Sequence, residues 1–247
     1  MAILEEIETG LGRISILDSQ EKGTRTYYHN NCSHSEVNGD GISTCAYIHL
    51  MYHIILDSGA KKVLMLGCGG GTLATMLHKA GCKVTVVDIS SESFTVAKRY
   101  FALPQEVECI VQDAFSYVAD TTQAYDAIAI DVFDSKGTIP EPFTTPVFFR
   151  HIRRILNFAG VIVMNVIIDH DFDMKADRIA LNMELLTMPA MLLDWDNDTD
   201  RNMLIAAGAI DDLHISLNAY PEFIRKELKR ITQRRIRSRV YQEKNKQ

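Results

Sequence analysis

From residue 3 to residue 29 apolar and polar side chains alternate, with Ile14, Ile16 and Tyr28 among polar neighbours and breaks at Gly10, Gly12 and Gly23. A period of two with glycine turns predicts a small β-hairpin subdomain. The next stretch, NNCSHSEVNGDG at 30–41, is rich in turn formers and reads as a loop. A helical spacing follows through Tyr47, Leu50, Met51 and Ile54 to about Asp57, with Ser43 or Thr44 placed to cap its start and Ser58-Gly59 to stop it.

From Lys61 onward short apolar runs alternate with helical patterns. Strands fit 61–66, 83–88, 107–112, 127–131 and 160–168; helices fit 71–80, 91–101, 114–119, 145–157 and 174–186, with Ser90, Asp113 and Thr144 as N-caps. That alternation implies an α/β fold, a parallel sheet covered by helices on both faces, with ligands at the carboxyl ends of its strands. Two more apolar runs, 191–193 and 203–207, bracket DWDNDTDRN and predict an antiparallel hairpin closing the sheet. Residues 220 to about 241 read as a terminal helix carrying Phe223, Leu228, Ile231, Ile236 and Val240. The expected organisation is a small β subdomain with its loop at 1–41, a Rossmann-like domain at 42–218 and a basic helix at 219–247.

Chemistry concentrates first in KKVLMLGCGGGTLATMLHKAGCKVTVVD at 61–88, a strand, a glycine turn, a helix and a second strand ending in an acid. Glycines let backbone approach a ligand, the following helix offers unpaired N–H groups, and Asp88 is placed to accept from both hydroxyls of a ribose. The loop itself is ambiguous. Read from Gly69 it gives the Gly-x-Gly-x-x-Ala of dinucleotide folds, and as Gly67-x-Gly69-x-Gly71 it is equally the loop of S-adenosylmethionine (SAM) enzymes. Asp113, directly after the third strand, is placed either to receive an adenine amino group or simply to cap a helix. Loop, Asp88 and Asp113 together favour a SAM-type nucleoside. At the end of the fourth strand, Asp131-Val132-Phe133-Asp134 sets two acids at the mouth of the sheet, where they can bind an amine and remove its proton before nitrogen attacks the carbon next to sulfur.

Composition narrows the class. With 47% apolar and 23% charged residues and no apolar run near the roughly 20 residues of a membrane span, no membrane association is expected. The N-terminus lacks a positive-then-apolar leader pattern, and five scattered cysteines without Cys-x-x-Cys spacing suit a reducing compartment, so a cytoplasmic location is expected and a zinc site is not. The net charge of −6 is uneven: ten Lys/Arg against three Glu from residue 220 on leave −13 on the rest, a poor nucleic-acid surface and a plausible host for a small cationic amine. Asp194, Asp196, Asp198 and Asp200 alternate like a calcium loop but lack its glycine and closing acid, so no metal is expected. Asp169-His170-Asp171 reads as a solvated loop after the fifth strand, with pocket lining the alternative, and Tyr27, Tyr28 and His29 as strand packing, with facing the ligand from the hairpin the alternative.

Residues 8–208 resemble the spermidine synthase family of aminopropyltransferases and its looser spermidine synthase-like branch. The resemblance lies in ETGLGRISIL, GTRTYYHNN, the glycine loop, VVDIS, QDAF, DVFDSKGTIPEPFTTPVFF and LNFAGVIVMNV. It implies the SAM-dependent-transferase version of the Rossmann-like sheet and a homodimer. It also implies roles: Asp131 takes the amine proton, Asp134 contacts the substrate amine, and Tyr47 stands beside the catalytic acid. Gly67, Gly69, Gly71, Asp88 and Ile89 hold the nucleoside, Asp113 with Ala114 holds adenine, and His34 occupies the approximate place of a nucleotide-contacting glutamine.

The departures bear on the donor. Gly70 stands where the family loop has an aspartate facing the aminopropyl tail, Ser43-Thr44 replace an Asp-Glu pair before Tyr47, and Ser135 replaces the gate proline. Decarboxylated SAM presents a bare ammonium there, whereas intact SAM adds a carboxylate that an aspartate would repel. Gly70 therefore makes methyl transfer from intact SAM a rival to aminopropyl transfer from decarboxylated SAM to an amine such as putrescine. A catalytically silent nucleoside-binding protein is the third possibility.

Overall fold

A computed structural model describes residues 1–30, 32–134, 136–170, 173–195, 201–211 and 213–236. The N-terminal part is an antiparallel sheet of four consecutive strands: β1 (Ala2–Thr9), β2 (Gly12–Ser19), β3 (Thr24–His29) and β4 (Cys32–Asn38). The last of these corrects the loop expected at 30–41. Its burial alternates, Ser35 and Val37 facing inward, and it pairs with β3, so the turn formers are spent at Asn30, in the left-handed region, and at 39–41. The inner face, Ile14, Ile16, Tyr27 and Val37, packs on Val96 and Phe101 of α3 (Ser91–Tyr100) and the residue after it.

The main sheet follows the expected alternation. After α1 (Ala46–Asp57) come β5 (Lys62–Leu66), α2 (Thr72–Lys79), β6 (Lys83–Asp88), α3, β7 (Glu108–Val111), α4 (Ala114–Asp120), β8 (Tyr125–Ile130), α5 (Pro146–Ile155), β9 (Leu156–Ile167) and α6 (Lys175–Glu184). Strand β5 lies between β6 and β8 in parallel, with β7 outside β6 and β9 outside β8. The chain leaves β5 toward one side and later returns to the other, and a crevice opens at the carboxyl ends where it does so. Alternate residues face opposite layers. Val63 and Met65 pack with α1 and α2, while Leu64 and Leu66 pack with Phe148, Phe149 and Ile152 of α5. Each fully buried side chain of that size contributes about 1.5–3 kcal/mol.

Ser90 and Asp113 cap their helices through Ser93 and Ser116 N–H. The α5 cap is Thr145 rather than Thr144, because Pro146 takes the first helical position. Neither Ser43 nor Thr44 caps α1: Cys45 is the N-cap residue, without a side-chain cap, and the Thr44 hydroxyl turns to Glu36.

The hairpin β10 (Ala190–Asp194) and β11 (Asn202–Gly208) closes the sheet against β9 as expected. The terminal helix does not run as expected. Helix α7 (Glu222–Glu227) and a 3-10 turn end at Arg230, and β12 (Thr232–Ile236) pairs antiparallel with β10. Extended backbone here satisfies the open edge of β10, and Arg234 and Arg235 pair with Asp177 and Asp211. Val240 lies outside the described residues. Among the described residues no helix is long and apolar enough to cross a membrane.

Candidate active site where two cavities meet

Strand β5 ends in the turn Gly67-Cys68-Gly69-Gly70-Gly71, and a side chain at Gly67, where φ is +91°, would put its Cβ 2.2 Å from the Asp131 carbonyl oxygen. Glycine thus lets the ends of β5 and β8 lie against each other. Asp88, at the end of β6, accepts from the Cys68 N–H (2.7 Å) and the Ser90 N–H (2.8 Å). Burial pushes its carboxyl up and those bonds pull it back. Asp113 accepts from the Ser116 N–H and hydroxyl, both through Oδ2.

A cavity of about 680 Å³ gathers Gly67, Gly69, Asp88, Ile89, Asp113, Ala114, His34, Asp131 and Asp134 on one wall system. Tyr27 and His29 also line it. Gly71 does not; it lies against Leu103 and Ala97, so its glycine serves helix packing. Asp134 is tied into its own loop, accepting from the Lys136 and Thr138 N–H groups at 2.8 and 2.9 Å.

A second cavity of about 490 Å³ holds Tyr47, Asn165, Glu36, Trp195 and Glu227, and shares His34, Cys68, Gly69, Asp131 and Phe133 with the first. Asp131 therefore sits at the junction, and Asp134 does not reach the second cavity. Its Oδ1 accepts from Asn165 Nδ2 at 2.9 Å and its Oδ2 from the Tyr47 hydroxyl at 3.4 Å. Burial raises this carboxyl to about 6, against the pull of those two bonds. Beside it, burial and the neighbouring His29 lower the His34 imidazole to about 4, so His34 is neutral near neutral pH.

The position where the family resemblance expects an acid is closed. Ser35 of β4 accepts from the Gly70 N–H at 3.0 Å, and a Cβ at Gly70 would lie 3.0 Å from the Ser35 Cβ and 3.1 Å from the Phe101 ring. Three more loop N–H groups are engaged: Gly67 donates to Val87 O, Cys68 to Asp88 and Gly71 to Cys68 O.

Sequence reasoning missed Ser35, Glu36, Asn165, Trp195 and Glu227. Asn165 carried a signal, a polar residue inside the apolar run 161–168, and it is 2% exposed. Glu36 was hidden by taking β4 for a loop, and Glu227 by its basic surroundings. Asp169 pairs with Lys175 and Asp194 with Arg201, away from both cavities; Ser135, Asp171, Asp196, Asp198 and Asp200 lie outside the described residues. Among the described residues no three His, Cys, Asp or Glu side chains converge as a metal site.

The spermine/spermidine synthase domain model matches residues 44–173, more than half of the chain. A polyamine aminopropyltransferase of Chromobacterium violaceum is 31% identical over 121 residues, 47% of this chain and 46% of that protein. An eEF1A lysine and N-terminal methyltransferase of Xenopus laevis is 34% identical over 136 residues, 49% of this chain and 20% of that protein. The chain thus spans half or less of the length of these curated relatives. The crystal structure of a probable spermidine synthase from Corynebacterium glutamicum superposes with a TM-score of 0.76 at 20% identity, over 95% of this chain and 91% of that one. Human methyltransferase-like protein 13, in complex with SAH, gives 0.55 at 19%, over 79% and 93%. Both likenesses concern the fold.

Proposed function

The chain belongs to the spermine/spermidine synthase family, and from that premise we propose that it transfers an aminopropyl group from decarboxylated SAM to a small amine. The junction at Asp131 carries the reading. The first cavity suits a nucleoside, with Asp88 for the ribose, Asp113 and Ala114 for adenine, and the exposed Ile89 side chain as a wall. The donor's tail then points toward the shared residues, a carboxylate and a neutral histidine among them.

An amine in the second cavity meets the Asp131 carboxylate as an ammonium, held by charge-assisted hydrogen bonds. Proton transfer to Asp131 frees the nitrogen lone pair, nitrogen forms a bond to the aminopropyl carbon, and the carbon–sulfur bond breaks with its electrons on sulfur. Methylthioadenosine leaves neutral, because the sulfonium charge has been discharged. Tyr47 and Asn165 hold both Asp131 oxygens and so set the direction of its lone pairs.

Gly70 by itself favours intact SAM, but the surroundings favour the decarboxylated form. A SAM carboxylate at the junction would face Asp131, and the N–H groups of residues 67, 68, 70 and 71 already have partners within the chain. Gly70, which leaves no acid to repel a donor carboxylate, is the observation on the side of methyl transfer, and the lysine and N-terminal methyltransferases among the relatives agree with it. Parallel calorimetric titrations with decarboxylated SAM, intact SAM and methylthioadenosine decide: tighter binding of the decarboxylated form supports aminopropyl transfer, and tighter binding of intact SAM overturns it.

A further inference from the structure

Resting on the nucleoside-donor reading of the first cavity, we propose that His29 of β3 is a second ribose-reading residue: its Nδ1 accepts one ribose hydroxyl proton while Asp88 accepts the other. His29 lines the same cavity as Asp88. It comes there from the N-terminal sheet, outside the family-matched residues 44–173.

The ring is fixed, and its tautomer with it. His29 Nε2 lies 3.0 Å from the Leu11 carbonyl oxygen, and a carbonyl only accepts, so Nε2 carries the proton. In the neutral imidazole Nδ1 is then an acceptor. Among the described residues the bond to Leu11 is the ring's one hydrogen bond, which leaves Nδ1 open to a ligand. The His34 ring backs it, with centroids 5.8 Å apart and planes tilted by 48°. Leu11 itself is held at the hairpin tip: its N–H donates to the Thr9 hydroxyl at 3.1 Å, and that hydroxyl donates to the Gly12 carbonyl at 2.6 Å.

Two further observations point to a ligand between His29 and Asp88. Burial pushes the Asp88 carboxyl up, the Ser90 and Cys68 N–H groups pull it back, and the charge of His29 pulls the same way. The two side chains thus feel each other, yet among the described residues no hydrogen bond joins them. Leu11 and Ile89, moreover, are apolar, exposed and both in the lining of this cavity. Leu11 is the partner of His29 and Ile89 follows Asp88, so each polar group stands beside an apolar one. A nucleoside between them covers both apolar side chains and sets its sugar against the acid and the imidazole. The two adjacent ribose hydroxyls have one proton each to give, and a sugar lacking either hydroxyl leaves one of these acceptors bare.

The test titrates the full chain calorimetrically, at about pH 8 where imidazole is ordinarily neutral, with methylthioadenosine and with its 2′-deoxy and 3′-deoxy analogues. The proposal expects each analogue to bind at least about fivefold more weakly than methylthioadenosine. His29→Gln puts an amide N–H at the Nε2 place, which keeps the Leu11 bond, and no acceptor at the Nδ1 place. It should cut the penalty for one analogue to under about twofold and leave the other intact. His29→Asn puts its carbonyl oxygen at the Nδ1 place and should keep both penalties. Both penalties unchanged in His29→Gln would overturn the proposal by showing that Asp88 takes both hydroxyls, and all three nucleosides weakened alike would overturn it by showing that His29 only shapes the wall. The reverse pattern, discrimination kept by Gln and lost by Asn, makes His29 a tie for the hairpin tip and overturns it too. Thermal unfolding of each variant separates a lost contact from a lost fold. Binding of none of the three nucleosides by the unaltered chain contradicts the nucleoside reading together with the proposal; equal binding of all three contradicts the proposal alone.

Discussion

Asp131 combines three properties: it lies between two cavities, both its oxygens are held, and burial raises its carboxyl to about 6. Since the ionised form takes the proton, kcat/KM should rise with pH through about 6. Tyr47→Phe and Asn165→Ala each remove a hydrogen bond that holds the carboxyl down, so that limb should move to higher pH, while a purely structural role would change the rate without moving it. Asp131→Asn should lower kcat by about 100- to 10,000-fold with donor affinity retained by calorimetry. The same variant should be more stable. A carboxyl raised from 3.8 to about 6 by burial destabilises the fold in its charged form. The gain should be up to about 3 kcal/mol near pH 7 and fade below about pH 4, where both folded and unfolded wild-type carboxyls are protonated. Most of these residues were legible beforehand because glycines and acids at strand ends have few other reasons to recur in that order. Asn165 was visible as a polar interruption but had no assigned partner, since only the register of β8 beside β9 brings it to Asp131.

Among the elements, β4 and β12 were read wrongly, for different reasons. In β4 the buried alternation is carried by Ser35 and Val37 among other polar residues, so hydropathy shows no strand. Its placement matters: Ser35 fills the space above Gly70, which means that restoring the family's acid is not a single substitution. Gly70→Asp should weaken binding of decarboxylated SAM, and adding Ser35→Gly should recover at least part of it, as measured by calorimetry. In β12 the run TQRRI has one apolar residue, and strand character comes from the edge of β10, a partner some forty positions away. Asp177, buried on α6, takes Arg234 at 2.6 Å while the arginine itself is more than half exposed. Arg234→Ala should therefore cost only about 1 kcal/mol, and should speed amide exchange in β12 more than in β5.

At the scale of the whole molecule the αβ alternation, the strand-end location of the site and the acidic body were readable because they depend on local periodicity and on charge counts. What depended on distant packing was not: the second cavity is assembled from the N-terminal sheet, α1, β8, β9 and the C-terminal segment. Both cavities draw on the N-terminal sheet as well as on family-matched residues, and the second draws also on the C-terminal segment. The central claim is aminopropyl transfer at Asp131. Its most direct test is to supply putrescine with decarboxylated SAM in one reaction and with intact SAM in another, and to identify the products by mass spectrometry. Methylthioadenosine and an aminopropylated amine from the decarboxylated donor alone are the predicted result; S-adenosylhomocysteine and a methylated amine from intact SAM would contradict it.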